Sequence, residues 1–205
     1  MTSRQIRRAF SVAILAVALV TTAAACSNDD GTTGNSGATT TRGQTATAEL
    51  PDDVNDADVA FVQGMVPHHE QAIQMSELVI ANGDDPTVIA LAEQINAAQG
   101  PEIDQMNTWL DDWDIDPAGS DGMDGMDGAN GMMSDDEMDM MSEAMGADLD
   151  RMFLETMIRH HQGAIRMAEV ELEEGSNADV LALAQGIIDG QLAEIDQMQS
   201  MLEDT

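Results

Sequence analysis

The chain has 205 residues, with 7 basic residues against 39 acidic ones and a formal net charge of −32. That balance excludes direct nucleic-acid binding, because a phosphate backbone is held by a basic footprint. Aromatic residues at 2 % with no Tyr leave no base-stacking surface either, and a single Cys excludes a disulfide within the chain, a Cys-based zinc site and a thiol pair.

The first element is a targeting signal over residues 1–25. Arg4, Arg7 and Arg8 form a basic start, Ala9 to Val20 is an apolar run too short for a settled membrane span, and Ala23-Ala24-Ala25 leads into Cys26. The order resembles a bacterial lipoprotein signal, in which cleavage before Cys26 is followed by its lipidation. The expected location is the outer face of the cell membrane, with secretion the alternative if the lipid signal is not used. Removal of residues 1–25 leaves four Arg against all 39 acids. Residues 26–53 are rich in Thr, Gly, Ser, Asn and Ala and read as a flexible tether.

The remaining domain, 54–204, is one helical hairpin written twice. Displacing the chain by 92 residues lays Asp58 over Asp150, Phe61 over Phe153, Met65 over Met157, His68-His69 over His160-His161, Ala72-Ile73 over Ala164-Ile165 and Met75 over Met167. The match continues through Gly83 and Gly175, Val88 and Val180, and Gln99 and Gln191. It ends with Glu102-Ile103-Asp104-Gln105-Met106 over Glu194-Ile195-Asp196-Gln197-Met198. Repeat one covers 54–113 and repeat two covers 148–204, joined by a Met/Asp/Gly-rich connection over 114–147. All four His of the chain lie in the repeat.

At 100° per residue, Phe61, Met65, His68, Ala72, Met75 and Val79 form one stripe, flanked by Val62, Val66, His69, Ile73 and Ile80. Gln63, Glu70, Gln74 and Glu77 lie opposite. Asn82-Gly83-Asp84-Asp85-Pro86 reads as stop, turn and start. The next helix carries Val88, Leu91, Ala92, Ile95, Met106 and Leu110 on one face. A short turn makes the two helices antiparallel, and two such hairpins predict an all-α four-helix bundle. Pro67 is expected to kink or restart the first helix, and Gly100-Pro101 to disturb the second. In the connection, Ser134 to Glu137 resembles a capping box, predicting a short helix from Asp135 to about Met145. Eight of the 17 Met fall between Met123 and Met145: 123, 126, 132, 133, 138, 140, 141 and 145. Asp and Gly among them predict a mobile segment suited to passing on an ion.

Thioether and imidazole suit soft or borderline metals, with Cu(I) the natural match and Ag(I) its analogue. Met65, His68, His69 and Met75, with Met157, His160, His161 and Met167, are the candidate ligands. Gln99, Glu102 and Met106, with Gln191, Glu194 and Met198, share a core stripe of the second helix and are candidates for orienting the imidazoles or for additional ligation. A lone Met stripe is usually core packing and a lone apolar-face His is usually structural. Four imidazoles converging in an aliphatic bundle are another matter, because each ring nitrogen then needs a partner.

Met65-Val-Pro-His68-His69-Glu-Gln-Ala72-Ile73-x-Met75 and Met157-Ile-Arg-His160-His161-Gln-Gly-Ala164-Ile165-x-Met167 resemble the signature of the DUF305 family. The resemblance covers about 54–204. It implies a ferritin-like four-helix bundle, usually exported, with some members resembling periplasmic copper-binding proteins that aid copper resistance. Arg159 replaces the more usual polar or acidic residue before the second His pair, making copy two electrostatically different.

The functional expectation is an exported, lipid-anchored copper or silver binding protein, not an enzyme, that sequesters the ion or hands it to a protein partner. Two rivals stand beside it. A ferritin-like di-iron enzyme needs bridging carboxylates and Glu-x-x-His, but Met65 and Met157 stand three residues before the first His of each pair, and Val66 and Ile158 before the second. A metal-free cell-surface interaction module would make the His merely structural. A blue-copper carrier is excluded, because its Cys thiolate is absent from the domain.

Overall fold

The computed structural model describes residues 50–117 and 130–203, and the described residues contain five helices and no strand. The predicted signal, the tether up to Glu49, Cys26, Met123 and Met126 lie outside them. Helix α1 spans Asp56–Asn82, α2 Pro86–Asp112, α3 Asp135–Glu143, α4 Gly146–Glu174 and α5 Ala178–Glu203. The four long helices are the bundle that the repeat predicts, and α3 is the short helix of the connection.

Local chemistry sets the boundaries. Asn55 caps α1 by accepting from the backbone N–H groups of Ala57 and Asp58, and Asp58 returns a bond to the Asn55 N–H. Asp85 caps α2, with Pro86 in the first turn where its missing N–H costs nothing. Ser134 and Glu137 form the predicted capping box of α3, which ends at Glu143 rather than Met145. Asn177 accepts from Asp179 and Val180 at the start of α5.

Neither proline restarts its helix. Helix α1 runs through Pro67 without restarting, and α2 runs through Pro101. Pro67 removes one N–H from the ladder, and its own ring lies half-exposed, whereas Val66, His68 and His69 beside it are buried. One lost bond on the outer side does not outweigh that packing. Pro101 is exposed altogether.

Helix α1 packs on α2 and α4 on α5 within the hairpins, and α1 crosses α4 between them. All six residues of the predicted α1 stripe are buried, as are all six on the α2 face. Ile80, on the flanking strip, is exposed. The core divides into two apolar clusters along the α1/α4 seam. One gathers Phe61, Val62, Met65, Leu110, Ala164 and Val180, and the other gathers Met75, Leu91, Met133, Met141, Phe153 and Met157.

A pair of buried aspartates locks the hairpins at opposite ends. Asp58 of α1 accepts from the backbone N–H groups of Ser176 and Asn177 in the α4–α5 turn, and from the Ser176 hydroxyl. Its counterpart Asp150 accepts from the N–H groups of Asp84 and Asp85 in the α1–α2 turn, at 3.0 and 2.8 Å. The two turns stand at equivalent places in the repeat, so the clamps are related by the same internal symmetry. At Asp58, burial pushes the carboxyl up, but the donors from Asn55, Asn177 and Ser176 outweigh it and hold the group below the usual carboxylate range. Replacing Asp150 with Ala should destabilise the domain by about 3 kcal/mol, the scale of charge-assisted bonds lost with buried donors left unpaired. Asp58→Ala should cost more, because it also removes a helix cap. Denaturant unfolding of both variants checks the order.

Candidate metal centre

The antiparallel crossing of α1 and α4 puts the His pairs at the waist of the bundle, between the two apolar clusters. His68, His69 and His161 are fully buried, and His160 is 1 % exposed. The rings of His68 and His160 touch across the seam, with centroids 3.8 Å apart and planes tilted by 42°.

The other two imidazoles are held by carboxylates from the outer helices. His69 Nε2 lies 2.8 Å from Glu102 Oε2, and His161 Nε2 lies 2.7 Å from Glu194 Oε2. A carboxylate only accepts, so each Nε2 donates its hydrogen to the glutamate and the ring is oriented with Nδ1 turned away from it. His68 Nε2 is 3.0 Å from the backbone oxygen of Asn130, which makes Nε2 the donor there too. Among the described residues, Nδ1 has no hydrogen-bond partner in any of the four rings, and His160 has none at Nε2 either. Gln99, 2 % exposed, likewise has no partner there at Oε1 or Nε2, and Gln191 has none at Oε1.

Burial pulls the His68 imidazole down to about 3; its bond to Asn130 opposes this, and the neighbouring His69, His161 and Arg166 add to it. His160 is held well below its ordinary value by burial and then by His68 and the other rings. Both rings therefore present neutral nitrogen, the form that ligates metal.

The thioethers divide. Met65, Met75 and Met157 are fully buried, Met65 in one apolar cluster and Met75 and Met157 in the other. Met106 and Met198 are buried as well. Met167 is half-exposed and lines a cavity with Phe61, Gly64, Asn130 and Arg166. Among the described residues, no three His, Cys, Asp or Glu side chains form a ready metal cluster. At the waist itself the four imidazoles stand with the two glutamate carboxylates, and the buried thioethers lie in the apolar clusters on either side.

The repeat pattern did not reveal the strap over this waist. Residues 130–133 cross α1 and α4 beside the histidines. Gln71 grips Met133 with two bonds, Nε2 to its oxygen at 2.9 Å and its N–H to Oε1 at 2.8 Å. At the equivalent place in α4 stands Gly163, where a Cβ would overlap the Asn130 backbone oxygen, and Gly131 adopts φ 79° against the Arg159 backbone. Arg159 itself pairs with Glu137 at 2.8 Å. The expected mobility of the connection thus fails for Met133 and Met141, which are buried in the core, while Met140 and Met145 are exposed. A Gln over a Gly in the aligned repeats was the one available signal of a chain passing across one copy only.

A second feature that sequence reasoning missed is Glu171, which stands where repeat one has Val79. It is 1 % exposed, beside Asp58, and burial together with that neighbouring carboxylate pushes it up to about 8.

These features define a class: a duplicated helical hairpin whose crossing buries two His-His pairs, two of the rings anchored by glutamates. The chain belongs to the DUF305 family, whose model, described as "Domain of unknown function (DUF305)", matches residues 58–202. It is similar to the solved DUF305 fragment from Deinococcus radiodurans, at 31 % identity and TM-score 0.66, covering 74 % of this chain and 99 % of that one. The DUF305 protein from Streptomyces coelicolor is 33 % identical with TM-score 0.66, covering 72 % and 93 %. CopM in its Cu(I)-bound form is 31 % identical with TM-score 0.60, covering 72 % and 96 %; CopM has also been solved in Ag-bound, Cu(II)-bound and apo forms. An uncharacterized protein of Acanthamoeba polyphaga mimivirus is 40 % identical over 55 residues, 27 % of this chain, and the chain spans only 36 % of that relative.

The buried acids and bases give two opposed pH slopes of stability. The unfolded chain protonates His68 and His160 near 6.5, whereas the fold keeps them neutral, so their contribution is whole above that value and is lost as pH falls toward 3. Glu171 runs the other way. The unfolded chain loses its proton near 4.5 and the fold keeps it up to about 8, so that contribution is present below 4.5 and lost as pH rises through 8. Glu171→Gln should flatten the alkaline slope and leave the acid one. Urea midpoints across that range, for parent and variant, check it.

Proposed function

We propose that this chain is an exported, lipid-anchored protein that binds Cu(I), with Ag(I) as its analogue, and sequesters the ion or hands it on in metal tolerance. One observation carries the reading: all four buried imidazoles leave Nδ1 without a partner among the described residues. Buried polar groups without partners cost about 1–3 kcal/mol each, and a soft cation would satisfy several at once. Because the His68 and His160 rings touch across the repeats, one shared site at the waist fits better than two separate ones. Met65, Met75 and Met157 are the sulfur donors buried along the same helices, and Glu102 and Glu194 orient His69 and His161.

CopM with Cu(I), Cu(II) or silver supports the choice of ion. The donor set also favours it over the di-iron reading, which needs bridging carboxylates: the two buried-site glutamates are each committed to an imidazole. A purely structural role for the histidines leaves the orphaned nitrogens unexplained, and an ion carrier needs no catalytic group. The lipid anchor and outer-face location rest on the basic, apolar and small-residue order before Cys26.

Anaerobic titration of the mature chain with Cu(I) and Ag(I) tests the reading. Tight uptake of both is expected, with joint replacement of His68, His69, His160 and His161 by Gln abolishing it in a protein that circular dichroism shows still helical. Glu102→Gln and Glu194→Gln should each weaken binding by about tenfold or more, the usual effect of removing a group that orients a ligating His. A parent that folds and binds neither ion ends the proposal, and iron-dependent oxidation in its place would favour the di-iron enzyme. For the anchor, Cys26→Ser should move the protein from the membrane fraction to the soluble one.

A further inference from the structure

The two halves of the α1/α4 seam are equivalent in the repeat but not in their covering. Over the half that holds Met75, helix α3 lies across both helices, and its Met141, with Met133 of the strap, is buried against Met75, Phe153 and Met157. Over the other half, among the described residues, lies a cavity of about 420 Å³ walled in part by Phe61, Gly64, Asn130 and Met167. Met75 is fully buried, whereas its counterpart Met167 reaches this cavity half-exposed.

Two residues of the cavity wall, Gly64 and Asn130, stand close to His68. The Met167 methyl carbon lies 3.6 Å from where a Cβ on Gly64 would stand. Gly64 precedes His68 by four residues on one helix face, about 6 Å along the axis. Asn130, in the same wall, supplies the oxygen that holds His68 Nε2. A solvent-reachable thioether therefore stands about one helical turn from an imidazole that is fully buried and bare at Nδ1.

We propose that Met167 is the docking thioether at which a soft monovalent cation enters, and that the cavity between α1 and α4 is its route to the His68–His160 pair. The inference rests on the metal-binding reading above and adds the direction of loading. A thioether carries no charge and no proton, so it takes such an ion from solution without a titration step and releases it to imidazole without leaving a buried anion. Arg166 and Glu174, of opposite charge, both line the cavity, so the ion meets no uncompensated like charge there. The equivalent route in repeat one is closed by Met133 and Met141.

Rapid mixing of the mature chain with Cu(I) delivered from a coloured chelator, and separately with Ag(I), separates rate from capacity. Met167→Leu keeps the volume and removes the sulfur, while Gly64→Leu keeps the sulfur and fills the cavity. Both should slow uptake several-fold and still reach the parent's final stoichiometry, with helicity and melting temperature confirming the fold. Parent-like rates in both variants overturn the entry route. A lower final stoichiometry in Met167→Leu with an unaltered rate overturns it as well, by making Met167 a ligand of the final site. If the parent itself takes up neither ion, the metal-binding reading fails first and the entry route with it.

Discussion

The structure depends on four imidazoles held out of water where two antiparallel helices cross. Burying such rings is unfavourable unless their nitrogens are satisfied, yet five ring nitrogens at this crossing have no partner among the described residues. The surrounding fold must therefore hold the arrangement against its own tendency to rearrange. It does so from the ends. Asp58 and Asp150 each tie the start of one hairpin's first helix to the turn of the other, so α1 and α4 cannot slide past each other without breaking charge-assisted bonds at both ends. The two apolar clusters then fill the lengths between clamp and waist. Glu102 and Glu194 fix the remaining freedom, the rotation of His69 and His161.

Duplication gives this frame its symmetry, and the connection between the copies breaks it. A single strap can cross the seam in only one way, so the two helices under it diverge. Gln71 holds the strap and Gly163 makes room for it. α3 then covers one half of the seam, which leaves Met75 sealed and Met167 reachable from the cavity. At the ends, Val79 stays apolar beside the Asp150 clamp, whereas Glu171 puts a second carboxyl beside Asp58 and raises its own affinity for a proton. Equivalent residues in the two copies thus share a backbone environment and differ in what lies above them.

That distinction explains what was legible in the sequence. Repeat spacing and helical periodicity report on the helices' own faces, so the bundle, the α1 stripe and the polar Gln99 and Glu102 within the α2 core stripe could all be read directly. The His69–Glu102 and His161–Glu194 contacts join the flanking strip of each hairpin's first helix to the core stripe of its second. Pro67 does not restart its helix, because the buried neighbours that keep α1 continuous outweigh the one lost N–H. The strap and the exposure of Met167 were not legible, since both depend on where a Gly- and Asp-rich segment of irregular backbone lies. Glu171 was visible only as a mismatch with Val79, and a Glu near a helix end ordinarily signals a solvated face.

The acidity of the chain and the neutrality of its interior have complementary consequences. Thirty-nine carboxyl residues draw cations of every kind toward the surface, because a negative field raises local cation concentration without choosing among ions. The waist chooses. Hard ions such as Ca²⁺ and Mg²⁺ require several oxygen ligands, and the two carboxylates at the waist, Glu102 and Glu194, are each already bonded to an imidazole. An ion that prefers sulfur and imidazole loses little on leaving water for such a site, whereas a strongly hydrated divalent ion loses its water shell and gains no oxygen cage in return. Selectivity on this reading lies in the neutral donors and the dry walls around them, and the surface charge contributes only to the rate of arrival.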